Sequence, residues 1–175
     1  MTTGLIPIQK LAGRVVTLWQ GGEMALAEAR AGGEVRWEDP SIPFLQFVNL
    51  DLQFDDGQAV RLLSQLEDGT GFHGFYVEAL HELPVLRTFD EPSSIFRDRV
   101  LCELPLGEIE IVELRHDGPN AIVEMRLRLS GTEIRLLAAE VYEEHDASLR
   151  IGELDESILV QVNGARPSHL ASAYS

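Results

Sequence analysis

The chain has 175 residues, of which 45% are hydrophobic and 25% charged, a composition typical of a single globular domain and not of a disordered segment. Its 29 acidic and 14 basic side chains give a formal net charge of −15. Such a surface repels nucleic-acid phosphates and anionic lipids, so we expect no nucleic-acid or membrane binding and favour a basic protein or a cationic ligand as partner.

The cysteine content and the lack of long apolar segments indicate the cellular compartment of the protein. Cys102 is the only cysteine, which excludes an internal disulfide and a thiolate metal site, and its apolar neighbours predict a buried side chain. The N-terminus lacks the basic region and the apolar stretch of a signal peptide, and no run approaches the roughly 18 apolar residues of a membrane span. Arginine outnumbers lysine strongly, a bias typical of GC-rich bacterial genomes. We therefore predict a bacterial, cytoplasmic protein.

The N-terminal section, 1–43, mixes strand and helix signals. Residues 14–20 are β-branched and aromatic, which predicts a strand that ends at Gly21-Gly22. Residues 23–30 have the highest helix propensity in the chain and are followed by a glycine stop, so we predict a short helix there. A further alternating stretch, 34–38, precedes two prolines that favour extended backbone.

A first meander is predicted over 44–82, with strands near 44–54, 58–66 and 72–80. In its first strand five apolar residues share one parity and predict a core-facing side: Phe44, Val48, Leu50, Leu52 and Phe54. In its second strand Leu62 and Leu63 are consecutive, which indicates that both faces are covered.

A connection, 83–106, and a second meander, 107–163, follow. In the connection Ser93 or Ser94 could cap a short helix through Ile95 to Glu103, although the segment is equally compatible with strand-like backbone. The second meander has predicted strands near 108–115, 121–129, 132–142, 148–154 and 157–163. We expect one domain, 1–164, and a flexible tail, 165–175.

The two meanders contain hairpins that resemble each other. Residues 48–63 align with 123–137 when the first turn is one residue longer than the second. The identical pairs are Val48/Val123, Leu52/Leu127, Gly57/Gly131, Arg61/Arg135, Leu62/Leu136 and Leu63/Leu137. Internal duplication explains the match, and so does the alternation that any two amphipathic hairpins share.

These elements predict an α+β fold that is mainly antiparallel β. We expect two related β-meanders, packed face to face as sheets, with one or two short helices. The matched Arg61 and Arg135 lie on strands predicted to be covered on both faces. We therefore expect each guanidinium to be partly buried and paired with a carboxylate from a neighbouring strand.

Three segments suggest chemistry, and each has a simpler explanation. Residues 143–146 are acidic with one histidine, but consecutive side chains on a tight turn diverge, so we predict no metal site. The glycine-rich stretch 69–74 lacks the lysine and the helix of a phosphate loop, so we predict no cofactor. Asp155-Glu156-Ser157 lacks a nucleophile elbow and a histidine placed to activate the serine, so we assign no catalytic residue.

The candidate ligand-binding residues are His73, Phe75, Tyr76 and His81, which surround one aromatic strand. The alternative explanation is that they are core residues, with each polar tip satisfied by a hydrogen bond.

Two functions fit these observations. The first is a non-catalytic protein-interaction module for a basic partner, for example an immunity-type protein whose acidic face covers a basic toxin domain. The second is a small-molecule-binding protein or enzyme with an aromatic pocket between sheets, lined by Trp19, Trp37, Phe72, Phe75 and Tyr76. A clustered acidic patch favours the first function, and a deep cavity with convergent polar groups favours the second. A homodimer stays open, and the lack of catalytic parts favours a protein that is not an enzyme.

Overall fold

The computed structural model describes residues 4–66 and 73–168. In chain order the elements are β1 (Leu5–Ile6), a 3-10 helix (Ile8–Leu11), β2 (Val15–Met24), β3 (Leu45–Phe54), β4 (Ala59–Leu66), β5 (His73–Leu80), β6 (Phe96–Val100), β7 (Gly107–Glu108), β8 (Glu110–Asp117), β9 (Ala121–Leu129), β10 (Thr132–Glu143) and β11 (Leu149–Val162).

The strands form one curled, half-barrel sheet in which all the described pairings are antiparallel. Its order is β1-β5-β4-β3-β11-β10-β9-β8, while β2 pairs with β3 and carries β6 and β7. The curl brings β5 against β9, where a Cβ on Gly74 would lie 3.3 Å from the Cα of Ala121. The mainly antiparallel architecture is confirmed, but the expectation of two separate sheets is wrong.

Two apolar clusters cover the two faces of the sheet. The larger one contains side chains of both hairpins, among them Phe47, Phe54, Met125 and Leu136. The smaller one forms on the opposite face of β10 and β11, and it comprises Leu26, Ile42, Phe44, Leu137, Ala139, Val141 and Leu159. Because Leu136 and Leu137 enter different clusters, β10 is covered on both faces, as its consecutive leucines indicate.

The helix predicted over 23–30 is wrong. The strand β2 continues through Gly21-Gly22 to Met24. The connection, which the sequence leaves open between a capped helix and strand-like backbone, contributes the strand β6. The buried carboxylate of Glu23 accepts hydrogen bonds of 2.6 Å from both Arg97 and Arg99 of β6. A helix of two turns has too little intrinsic stability to compete with such pairing. The prediction for Cys102 is also wrong, since its side chain is exposed in the turn after β6.

The two matched hairpins have the same register. Leu50 faces Leu62, Asp51 faces Arg61 and Leu52 faces Val60 in the first hairpin. The aligned residues pair identically in the second: Met125 with Leu136, Arg126 with Arg135, and Leu127 with Ile134. Since β11 lies between β3 and β10, the hairpins are not adjacent in the sheet. Their origin by duplication stays a prediction.

Two bulges change the predicted strand faces. Gly22 pairs with Asn49 and Glu23 with Phe47, so Val48 is an extra residue in β3. Side chains of β3 before this bulge therefore alternate out of phase with those after it, and Phe44 lies in the smaller cluster instead of the larger one. The strands predicted at 148–154 and 157–163 form the single strand β11, which a second bulge interrupts.

Candidate functional site

The arginines of the chain are all described, and each forms an ion pair with a carboxylate of the same chain. The only lysine, Lys10, is exposed. The positive charge of the protein is thus largely neutralised internally. The surplus that remains consists of carboxylates, and their arrangement decides what the surface can bind.

The bulge in β11 assembles several of these carboxylates. Ala138 pairs with Ile158 while the next residue, Ala139, pairs with Glu153, so residues 154–157 leave the ladder. Leu154 adopts a φ of 62°, a left-handed conformation that costs a non-glycine residue about 1 kcal/mol.

The hairpin of β4 and β5 holds this bulge in place. Ser64 Oγ donates a hydrogen bond of 2.5 Å to the carbonyl oxygen of Asp155. His73 Nδ1 lies 3.2 Å from the carbonyl oxygen of Leu154, which requires a proton on that nitrogen. The other ring nitrogen of His73, Nε2, lies 3.7 Å from a carboxylate oxygen of Glu156.

Glu140 of β10 lies against the same bulge. Ser157 Oγ donates to Glu140 Oε2 over 3.1 Å. Burial raises the pKa of Glu140, and the charges of Asp155 and Glu156 raise it further, while the Ser157 hydrogen bond and His73 oppose the shift. The Tyr142 hydroxyl donates to the Asp155 carboxylate, which together with burial raises the pKa of Tyr142 to about 12. These carboxylates repel one another and would gain from a cation.

A groove of about 450 Å³ adjoins Glu140 and Tyr142, between residues 24–30, Ile95 and the end of β10. The β9 ladder stops at Leu137, so beyond that point only β11 pairs with β10 among the described strands. The apolar lining residues are Met24, Ala25, Leu26, Ala27, Ala29, Ile95 and Val141. Asp155 accepts a hydrogen bond from the lining residue Tyr142, and the charges of Asp155 and Glu156 act on the lining residue Glu140. We call the groove together with these two carboxylates the acidic groove.

A buried amide fixes the two walls of the acidic groove relative to each other. Gln46 Nε2 donates to the carbonyl oxygen of Ala25 over 3.1 Å, and Gln46 Oε1 accepts from the backbone N–H of Val141 over 2.7 Å. At the rim, Arg30 forms an ion pair with Glu143. The groove is therefore preformed.

The ligand-binding residues predicted from the sequence lie in different surroundings. His73 lies at the acidic bulge, and Phe75 is buried in the larger core cluster. Phe75 and Tyr76 also border a different groove, of about 350 Å³, together with His116. His81 is exposed after the end of β5. A shared ligand site for these four residues stays a prediction.

The described residues of the predicted aromatic pocket have different surroundings. Trp19 is buried and its Nε1–H donates to the carbonyl oxygen of Pro105 over 2.8 Å. The Trp37 ring lies under the guanidinium of Arg97, 4.0 Å from the ring centroid. Phe72 lies outside the described residues.

Sequence reasoning missed Glu140 and Tyr142. The available signal was Glu140 itself, a lone carboxylate within the apolar run from Leu136 to Val141. Asp155-Glu156-Ser157 is recognisable in the sequence as an acidic segment beside a serine, but the sequence does not show that these residues leave the ladder near Glu140.

Within residues 4–66 and 73–168, no group of three or more His, Cys, Asp or Glu side chains is arranged to hold a metal ion. No helix in the same ranges is long and apolar enough to cross a membrane. No family model matches the chain, and no curated protein or solved structure is significantly similar to it.

Proposed function

We propose that this protein is a non-catalytic protein-interaction module that binds a basic partner through the acidic groove. The observation that carries the proposal is a groove with largely apolar walls whose lining includes Glu140, a half-buried carboxylate with a raised pKa. The apolar walls suit the aliphatic stem of an arginine or lysine side chain, and the carboxylates suit its charged head.

The charge distribution supports the same proposal. Because the chain's own arginines are held in internal ion pairs, they leave the surplus carboxylates without a cationic partner. A net charge of −15 attracts a basic protein from a distance and repels a second copy of this chain. The partner is thus a different protein, and an immunity-type role is one form of this function.

The setting of Ser157 supports binding over catalysis. Its side chain is only 2% exposed, and its hydroxyl donates to Glu140. In this arrangement the serine stabilises the carboxylate at the groove instead of acting as an accessible nucleophile.

The test measures binding of a short peptide of alternating arginine and leucine by calorimetry. We expect the double variant Glu140→Gln/Glu156→Gln to weaken binding at least tenfold, about 1.4 kcal/mol. Affinity should also rise as the pH rises through the pKa of Glu140, above its ordinary 4.5, because only the ionised carboxylate attracts the cation.

The matched control is Glu108→Gln/Asp117→Asn, which also removes two negative charges, one from β7 and one from β8. The control should bind almost as the unmodified protein does. An equal loss in both double variants would reduce the attraction to net charge alone, and no binding at low salt would refute the proposal.

A further inference from the structure

A second groove, of about 430 Å³, lies where β6, β2, β3 and β4 are neighbours. Its floor contains Gly22 and the bulge residue Val48, and residues 84–87 run along it. A Cβ on Gly22 would lie 2.9 Å from both Val48 Cγ2 and Asn49 Oδ1. The floor therefore depends on a glycine opposite a bulge, a combination that is common beside binding sites.

One side of this groove is formed by a buried acid and its arginine. Asp51 is 2% exposed and accepts hydrogen bonds from Arg61 Nε over 2.7 Å and from Arg61 Nη2 over 2.9 Å. Asn49 Nδ2 donates to the same carboxylate over 3.2 Å. These three hydrogen bonds occupy most of the acceptor capacity of Asp51 and fix the orientation of the Arg61 guanidinium.

The opposite side repeats this arrangement with Asp98 and Arg87. Arg87 donates to Asp98 through Nε over 2.9 Å, through Nη2 over 3.0 Å and through its backbone N–H over 2.8 Å. The other end of the 84–87 segment is held by Gln20 Nε2, which donates to the carbonyl oxygen of Pro84 over 2.9 Å. We call the space between the two pairs the arginine groove.

The two guanidinium groups are close enough to influence each other. The Asp51 hydrogen bond is the main cause that raises the pKa of Arg61, and the charges of Asp51 and of Glu78, which is opposite Arg61 on β5, raise it further. Partial burial and the charge of Arg87 oppose this shift. Burial pushes the pKa of Asp98 upward, but hydrogen bonds from Arg87 and the charges of Arg87 and Arg61 lower it overall.

The polar groups of the arginine groove that can still form hydrogen bonds are mainly N–H donors. The bidentate contacts occupy Nε and Nη2 of each arginine and leave Nη1 without a hydrogen bond to any residue that the structure describes. Both carboxylates already accept three hydrogen bonds each. Two oriented guanidinium groups with free donors match the oxygens of an anion, which would also relieve their mutual repulsion.

We propose that the arginine groove binds a small molecule with a carboxylate or phosphate group, held between Arg61 and Arg87. Asn49 Nδ2 donates one N–H to Asp51, and its second N–H supplies a further donor. The negative net charge of the chain does not prevent this, because at physiological salt its field is screened over about 8 Å. The site is separate from the acidic groove and takes a ligand of opposite charge.

The experiment titrates inorganic phosphate and glutarate separately into the full chain, with ionic strength held constant by sodium chloride. Side-chain N–H signals of Arg61, Arg87 and Asn49 are followed by NMR. We expect saturable shifts with at least one probe, and the tighter probe identifies the headgroup. Arg87→Gln should raise the Kd at least tenfold.

Two further variants complete the test. Arg128→Gln, which removes an exposed arginine paired with Glu110, should leave the Kd unchanged. Arg87→Lys keeps the charge and loses the bidentate geometry, so it should weaken binding even if Arg87→Gln folds poorly. The proposal is overturned if neither probe gives saturable shifts, or if folded Arg87 variants keep the original Kd. Basic-peptide binding by the same variants should be unaffected, which separates this site from the acidic groove.

Discussion

At the residue scale, the matched arginines Arg61 and Arg135 differ in the acids that hold them. Both are partly exposed, 30% and 36%, and both pair with a neighbouring strand, as predicted. Arg61 pairs with the directly opposite Asp51, whereas Arg135 pairs diagonally with Glu124 because Arg126 occupies the opposite position. Glu124 is also held by Arg115. Equivalent registers thus carry different ion pairs.

This difference predicts unequal costs of substitution. Arg61→Met should destabilise the protein by roughly 3 kcal/mol, because it leaves the buried Asp51 without its cation. Arg135→Met should cost about 1 kcal/mol, because the more exposed Glu124 keeps Arg115. Urea unfolding of both variants measures the two values. Equal costs would mean that the burial of Asp51 does not control the energetics.

At the scale of elements, the two bulges create the two grooves. The Val48 bulge in β3 forms part of the arginine-groove floor, and the bulge at 154–157 brings Asp155 and Glu156 beside Glu140. Gly21 and Gly22 allow this arrangement, because their lack of a side chain lets β2 pass close to the bulged strand β3 while it stays paired with it. A glycine within a strand marks this kind of close backbone approach.

Gly21→Ala should therefore be destabilising. Its Cβ would lie 2.6 Å from the carbonyl oxygen of Asn49, which forces the backbone to move, and we expect a cost of roughly 2 kcal/mol. The control is Gly4→Ala, whose Cβ would have no neighbour within 4 Å. Thermal unfolding distinguishes the variants, and a neutral Gly21→Ala would contradict the close approach of β2 and β3.

At the scale of the whole molecule, the balance between paired and surplus carboxylates controls the response to pH. Hydrogen bonds from Ser41 and Ser148 are the main causes that lower the pKa values of Asp39 and Asp146, and a hydrogen bond from Arg135 lowers that of Glu124. Such groups stabilise the fold above their ordinary values, 3.8 for Asp and 4.5 for Glu, and lose that effect as the pH falls through their lowered pKa values.

Glu140 has the opposite dependence. Because its pKa is raised, its favourable contribution is present below 4.5 and is lost as the pH rises through its folded value. Mild acidification also reduces the self-repulsion of a net charge of −15.

We therefore expect the Tm to be highest between about pH 4.5 and 7, where surplus carboxylates begin to protonate and the paired ones are still ionised. Differential scanning calorimetry across this range measures the effect. Sodium chloride at pH 7 should raise the Tm by screening the same repulsion. A Tm that falls steadily on acidification from pH 7 would show that the paired carboxylates dominate.

The strand predictions succeeded where side-chain alternation and turn residues agree. The two hairpins, their turns and the pairing of the matched arginines follow from local pattern, because the period of a strand and the geometry of a tight turn involve few residues. The helix at 23–30 failed because the buried ion pairs of Glu23 with β6 are non-local.

The sequence by itself determined the antiparallel strand content, the surplus of acidic charge and the absence of a recognisable catalytic motif. The tertiary structure decided which carboxylates meet, since Glu140 and Asp155 approach only through a bulge in the ladder between the consecutive strands β10 and β11. It also decided that Arg61 and Arg87 share a groove. The physical reason is that an extra residue in a strand moves the side chains that follow it to the other face of the sheet. Neither the alternation of apolar and polar residues nor the strand propensity specifies where such a residue is inserted.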